Sequence, residues 1–250
     1  MLVTQRFSNR VAEYVRFRPG YPAALIPVLE EKGVLQKGYR VADIGSGTGL
    51  SSRPFLEAGY SVFGIEPNAA MRNAAEECLS DFGSFTSMDA DAYDTGLEDA
   101  SIDIIVCAQA FHWLDRAKAL TEFIRMLKAN GPVVLIWNDR KADNPFMQAY
   151  QQIIDIFSID YNEINHLLIT DDQLQHWFQP ETMQKITLSY EQRFDLQGLI
   201  GRTLSCSYMP DRQHPAFPQM QEQLTLLFNQ FQQNGIVIFA YTTRVYIGKI

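Results

Sequence analysis

Residues 41 to 49 read Val41-Ala42-Asp43-Ile44-Gly45-Ser46-Gly47-Thr48-Gly49, a run of apolar residues that breaks into three alternating glycines. Residues 39 to 44 have the apolar, β-branched character of a buried strand, and a helix follows the glycines as far as Gly59. Glycines at that junction let the backbone turn tightly and approach a ligand without Cβ obstruction, and the helix N-terminus behind them offers unpaired N–H groups. A dinucleotide fingerprint, G-x-G-x-x-G, needs a third glycine at position 50, where this chain has Leu50. Asp43 stands two residues before the first glycine; its carboxylate repels a pyrophosphate and favours a ligand with positive charge. The loop therefore points to S-adenosylmethionine (SAM) more than to NAD.

Outward from the loop, short strands alternate with helices. The spacing predicts strands over 39–44, 61–66, 84–88, 102–108 and 132–137, and helices over 3–15, 25–33, 69–79 and 116–127. Such alternation gives right-handed crossovers and a doubly wound parallel sheet covered on both faces. After Trp137 the rhythm lapses: 139–182 is helical in pattern, a strand follows over 183–194, a second helical interval runs over 195–233, and 235–247 alternates like a last edge strand. An insertion at the carboxyl end of a parallel sheet lies where open α/β folds bind ligands, so 139–182 reads as a lid. No linker or repeat divides the chain. Residues 1–250 are expected to form one domain with an N-terminal helical cover (1–36), a cofactor-binding core (37–138), a helical lid insertion (139–182) and C-terminal strands and helices (183–250).

Composition excludes several classes. A hydrophobic fraction of 46% with 20% charged residues is that of a globular chain, not a disordered one. No apolar run approaches the roughly 20 residues of a membrane span, and the N-terminus lacks a signal-peptide core, so the expected location is the cytoplasm. A net charge of −8 with no basic run opposes binding to a nucleic-acid backbone. Cys78, Cys107 and Cys206 are too widely spaced for a metal cluster and read as small core residues; no metal is expected. Trp137, Trp177, Phe146, Phe178 and Tyr208 are assigned to the core.

Glu66 ends the second strand about twenty residues after the loop begins, where a carboxylate accepts hydrogen bonds from both ribose hydroxyls of either NAD or SAM. The third strand runs into Met88-Asp89-Ala90-Asp91, with an acidic group suited to an adenine amine, and the fourth into Gln109-Ala110-Phe111-His112-Trp113.

Taken together, ADIGSGTG at 42–49, GIEPN at 64–68, the Asp89-Ala90 pair, SIDIIVCAQAFHWLD at 101–115 and GPVVLIW at 131–137 resemble the class I SAM-dependent methyltransferases, over roughly residues 37 to 140. Tyr14, Arg18-Pro19-Gly20-Tyr21-Pro22 and Phe111-His112-Trp113 look like the small-molecule branch that includes trans-aconitate methyltransferase and its uncharacterised relatives. The resemblance implies a Rossmann-like, mostly parallel seven-stranded sheet with an antiparallel last strand. It also implies that Gly45, Ser46, Gly47 and Gly49 lie against the methionine portion of SAM and Asp43 near its amino group. Glu66 and Pro67 would take the ribose, and Asp89 and Ala90 the adenine; Gln109 and Phe111 would line the passage where the methyl emerges, with Tyr14 and Arg18 as a cover. The partner is a small-molecule methyl acceptor, and the chain a monomer or homodimer. A carboxylate acceptor needs no base and would be held by arginines such as Arg18, Arg140 or Arg244, whereas for a hydroxyl or amine His112 is the candidate catalytic base. An NAD(P)-dependent oxidoreductase and a non-catalytic SAM-binding module are the alternatives.

Overall fold

The computed structural model describes residues 10–159 and 169–250. Seven strands form one sheet: β1 (Arg40–Ile44), β2 (Ser61–Ile65), β3 (Phe85–Met88), β4 (Ile104–Ala108), β5 (Val133–Arg140), β6 (Gln184–Phe194) and β7 (Val237–Gly248). Their order is β3-β2-β1-β4-β5-β7-β6, with β7 antiparallel to both neighbours and every other pair parallel. This is the doubly wound, Rossmann-like methyltransferase sheet. The closing strand is not the edge that its alternation suggests, because β7 lies between β5 and β6. The last four residues of β7 are all buried, whereas β6 alternates exposed and half-buried residues, the pattern of a strand covered on one face only.

Nine helices are seen among the described residues: α1 (Val11–Phe17), α2 (Leu25–Glu31), α3 (Ser52–Glu57), α4 (Ala69–Cys78), α5 (Arg116–Met126), α6 (Pro145–Phe157), α7 (Asp171–Trp177), α8 (Leu196–Leu204) and α9 (Phe217–Phe231). Asn68, Asp115, Asn144, Thr170 and Asp195 cap α4 to α8 in turn, each side-chain oxygen accepting from an amide of the first turn. The start of the helix expected over 3–15, Phe7 included, lies outside the described residues. Within them α1 runs on to Phe17 and stops at Arg18 (φ −65°, ψ 145°), which the following Pro19 holds extended.

Chain order decides where the crevice opens. From β1 the chain winds outward to β2 and β3, then crosses back to place β4 on the other side of β1. The connections that leave the carboxyl ends of β1 and β4 thus run in opposite directions at the switch point. Two apolar clusters cover the faces of this sheet, one around Leu29, Phe55 and Val62, the other around Phe111, Phe123 and Trp137.

A third cluster stands at the carboxyl edge. β5 ends at the Arg140–Tyr241 pair, but β6 and β7 continue to pair as far as Phe194 and Val237. That projecting ribbon supports α6, α8 and α9, with Phe146, Tyr150, Leu199, Phe228 and Phe239 buried together. Arg10 fastens α1 to it: the buried guanidinium donates to the backbone carbonyls of Leu204 (3.0 Å), at the end of α8, and of Cys206 (2.9 Å) and Met209 (2.6 Å) just beyond it. Asn138, in β5, donates to the Gly20 carbonyl at 2.9 Å and accepts from Thr243 Oγ1 at 2.6 Å, which ties the α1–α2 link to the sheet. No helix among the described residues is long and apolar enough to cross a membrane. Cys107 and Cys206 are buried, Cys78 is partly so, and all three are free thiols.

Candidate active site

A cavity of about 450 Å³ opens at the switch point. Its floor is the loop Gly45–Gly47 after β1, Ala108 and Gln109 at the end of β4, and residues 138–140 of β5. Its cover is Tyr14, Arg18 and Tyr21 from the α1–α2 region, with Met147 and Tyr150 of α6 and Arg202 of α8.

The glycines of the loop serve different purposes. Gly45 (φ 68°) comes so close to Ala110 that a Cβ would stand 2.6 Å from the alanine Cβ, so only glycine passes there. Gly49 does not line the cavity; a side chain there would run into Leu79, so packing of α4 explains it. Leu50 lines the cavity at the position where a dinucleotide site needs glycine.

Asp43 is wholly buried. Its Oδ2 accepts from the hydroxyls of Ser51 (2.6 Å) and Ser52 (2.7 Å), while Oδ1 has no hydrogen-bond partner among the described residues. Burial pushes its carboxyl up to about 6, against the pull of the two seryl hydroxyls. A buried carboxylate oxygen left unmatched beneath a glycine loop is chemically suited to an ammonium group, such as SAM carries.

Glu66 bridges the loop to the next helix: Oε2 accepts from the Gly47 amide at 3.0 Å and Oε1 from the Asn68 amide at 2.9 Å. Burial raises its pKa, and those two amides and Arg72 pull the other way. Each oxygen retains a second lone pair, so ribose hydroxyls and backbone amides can be served together. Because Glu66 also holds the loop by accepting from two backbone amides, Glu66→Gln, which can still accept from one of them, is a milder variant than Glu66→Ala. We expect it to weaken SAM binding by about 2 kcal/mol, since hydrogen bonds to a charged acceptor are worth about 1.5–3 kcal/mol each. Titration calorimetry with unchanged affinity would free Glu66 of the ribose.

Pro67 is exposed beside it, and the Asp89 side chain is largely exposed, paired at 2.8 Å with Arg72, whose other nitrogen donates to the Glu66 carbonyl. Ala90 packs at the margin of the apolar cluster behind the sheet. Neither Glu66 nor these three residues line the cavity. Gln109 lines it in a left-handed backbone conformation (φ 56°), a strain of the kind that gathers at functional sites. Phe111 is not where a lining residue would be. It is fully buried, edge-on to Trp137 and Trp177, because the apolar cluster claims its ring, and His112 faces the cavity instead. Trp137 Nε1 donates to His112 Nδ1 at 3.4 Å.

Three arginines reach the cavity. Arg18 lies over the Tyr14 ring, 5.0 Å from its centroid, with Nε buried and unbonded among the described residues. Arg140 lies over the Tyr150 ring at 5.5 Å and donates to Gln151 at 3.1 Å. Arg202, almost wholly buried, donates to Tyr241 (3.1 Å) and Cys206 Sγ (2.9 Å). Burial alone would push the Cys206 thiol up, but Arg202, Arg18 and Arg140 together bring it down to about 6. Arg244 is absent from this group, because Asp139 pairs with it and it lies against Trp137 and Tyr246. Sequence reasoning missed Arg202 and sent Tyr208, a lining residue, to the core. A lone arginine in the apolar helix LQGLIGRTL was the available signal.

Comparison with known proteins agrees with this geometry. Residues 42–135 match the family described as a methyltransferase domain. An uncharacterized methyltransferase of Mycobacterium tuberculosis is 33% identical over 148 residues, covering 59% of this chain and 58% of that protein. One from Schizosaccharomyces pombe is 27% identical over 158 residues, covering 62% and 61%. The chain thus spans about six-tenths of the length of the curated relatives it matches. The fold is similar to that of an Anaeromyxobacter dehalogenans protein provisionally described as a type II methyltransferase, with a TM-score of 0.70, 19% identity and coverage of 93% and 98%. With the glycine loop, Asp43 and Glu66 set at the switch point of this sheet, residues 42–135 are similar to a methyltransferase domain.

Proposed function

We propose that this chain methylates a carboxylate of a small molecule. The observation that carries the reading is the meeting of Arg18, Arg140 and Arg202 in a cavity that begins at the glycine loop. Guanidinium groups are planar forks that bind carboxylates bidentately, and buried cations favour an anionic partner. In this reading Gly45, Ser46 and Gly47 hold the methionine portion of SAM and Asp43 its ammonium, while Gly49 lets the loop pack on α4. Glu66 and Pro67 hold the ribose, Asp89 and Ala90 the adenine, and Gln109 borders the methyl. When bound, SAM supplies a methyl carbon on a sulfonium, a leaving group that needs no acid. The chain aligns the acceptor, excludes water and holds its charge. The net charge of −8 fits a small acceptor in the cytoplasm better than a nucleic acid.

Residues 10–22 and the start of the insertion, with Met147 and Tyr150 of α6, act as the cover within one domain, whereas α7 packs on the apolar cluster of the sheet. Hydrogen exchange of the described parts of these segments is expected to slow on adding S-adenosylhomocysteine, while β1 and β4 are protected throughout; indifference of the cover would make it ordinary packing. The acceptor itself is tested by S-adenosylhomocysteine release with paired acids, amines and alcohols of one carbon skeleton. Turnover of acids supports the reading, and turnover of alcohols or amines with none of acids ends it.

A further inference from the structure

His112 stands in a one-turn helix, Phe111–Trp113, at the wall of the cavity. Two neighbours leave it little freedom. Phe111, the residue before it, is locked in the apolar core, and Trp137 is 1% exposed, held edge-on by Phe111 and Tyr246 with the Arg244 guanidinium over its ring. The indole N–H therefore has a fixed direction, and it points at His112 Nδ1, 3.4 Å away.

An indole nitrogen is a donor only, so the atom it points at must offer a lone pair. A neutral imidazole has one N–H and one lone pair, and when the lone pair is at Nδ1 the proton is at Nε2. A second proton at Nδ1 would set two N–H groups against each other and strand a buried indole donor. The ring is thereby fixed in the form that gives a hydrogen bond and is opposed in taking a proton.

We propose that His112 is a neutral hydrogen-bond donor that orients an acceptor oxygen through Nε2–H, with Trp137 setting its tautomer, and that it is not a general base. This rests on the methyl-transfer reading and deepens it, because a site without a base suits an oxygen that is already anionic. For a carboxylate the balance closes with no proton moved: its lone pair forms the new O–C bond, the C–S pair remains on sulfur, and a neutral ester and a neutral thioether result. An alcohol would have to lose one proton, and His112 would not be the group to take it.

The protein with 15N-labelled histidine gives a readout without any acceptor. The chain has four histidines, and the signal of His112 is the one missing from His112→Gln. Near neutral pH we expect Nε2 protonated and Nδ1 bare, and a shift toward mixed tautomers in Trp137→Phe. A proton on Nδ1, or an imidazolium, overturns the proposal. Turnover gives a second arm. The amide N–H of Gln takes the place of Nε2–H, so His112→Gln is expected to stay within about tenfold of the parent while His112→Asn, which reaches the Nδ1 position, falls much further. A base predicts equal losses of about 10²–10⁴-fold in both, and that result also overturns it. Failure of the carboxylate reading shows separately, in which member of the acid and alcohol pairs is turned over.

Discussion

Asp43→Asn is expected to gain stability over the parent without ligand while losing SAM. The carboxyl has a folded-state pKa of about 6 against an unfolded value of 3.8. A raised pKa means that the folded chain binds the proton more tightly, so keeping Asp43 ionised costs stability at neutral pH, and the cost shrinks as pH falls through 6. The difference is about 3 kcal/mol at pH 7 and about 1.5 kcal/mol at pH 5. Asn keeps an acceptor for Ser51 and Ser52 but does not titrate. The stability of the variant relative to the parent, from urea unfolding without ligand, should therefore fall by about 1–1.5 kcal/mol between pH 7 and pH 5. A pH-independent difference would mean that Asp43 is not the strained, buried anion described here. At pH 7 the same variant should bind SAM at least about tenfold more weakly, because the ammonium loses its charged partner.

Arg202→Met should damage acceptor use and leave the fold intact. Truncating one member of a buried charged contact costs about 2–5 kcal/mol, so kcat/KM for the acceptor should drop by about 10²–10³-fold. The free protein escapes that penalty because Arg202 has no carboxylate partner to strand among the described residues. Its neighbours are Tyr241, which also donates to Gln192, and Cys206, whose thiol takes back its proton once the cation has gone. Stability should change by less than about 1 kcal/mol. Arg202→Lys should be almost as inactive, since an ammonium cannot grip a carboxylate bidentately. A matching loss of SAM affinity in both variants would move Arg202 from the acceptor to the cofactor.

How legible these features are in the sequence depends on whether their cause is local. The strand–glycine–helix junction at 41–49 and the end of β2 at Glu66 are written in adjacent residues, so sheet class and cofactor loop follow from them. The caps of α4 to α8 are local too. What could not be read is set by pairing at long range. Nothing near 235–247 tells that β6 will cover its outer side, so β7 reads as an edge although it is interior. Phe111 and His112 are neighbours in one motif, but a single turn sends one ring into the core and the other to the cavity. Arg202 and Arg140 are 62 positions apart and meet only because the β6–β7 ribbon carries α8 over the end of β5. Arg244, which looked equally available, is taken by Asp139 across the β5–β7 pair.

The acidic glycine loop between β1 and α3 is expected to be a SAM site. Titration calorimetry of the full chain with S-adenosylhomocysteine, and in parallel with NADH, tests it most directly. One-to-one binding of S-adenosylhomocysteine that Glu66→Gln weakens, with no heat from NADH, is the expected result; binding of NADH with no response to SAM or S-adenosylhomocysteine would rule a SAM site out.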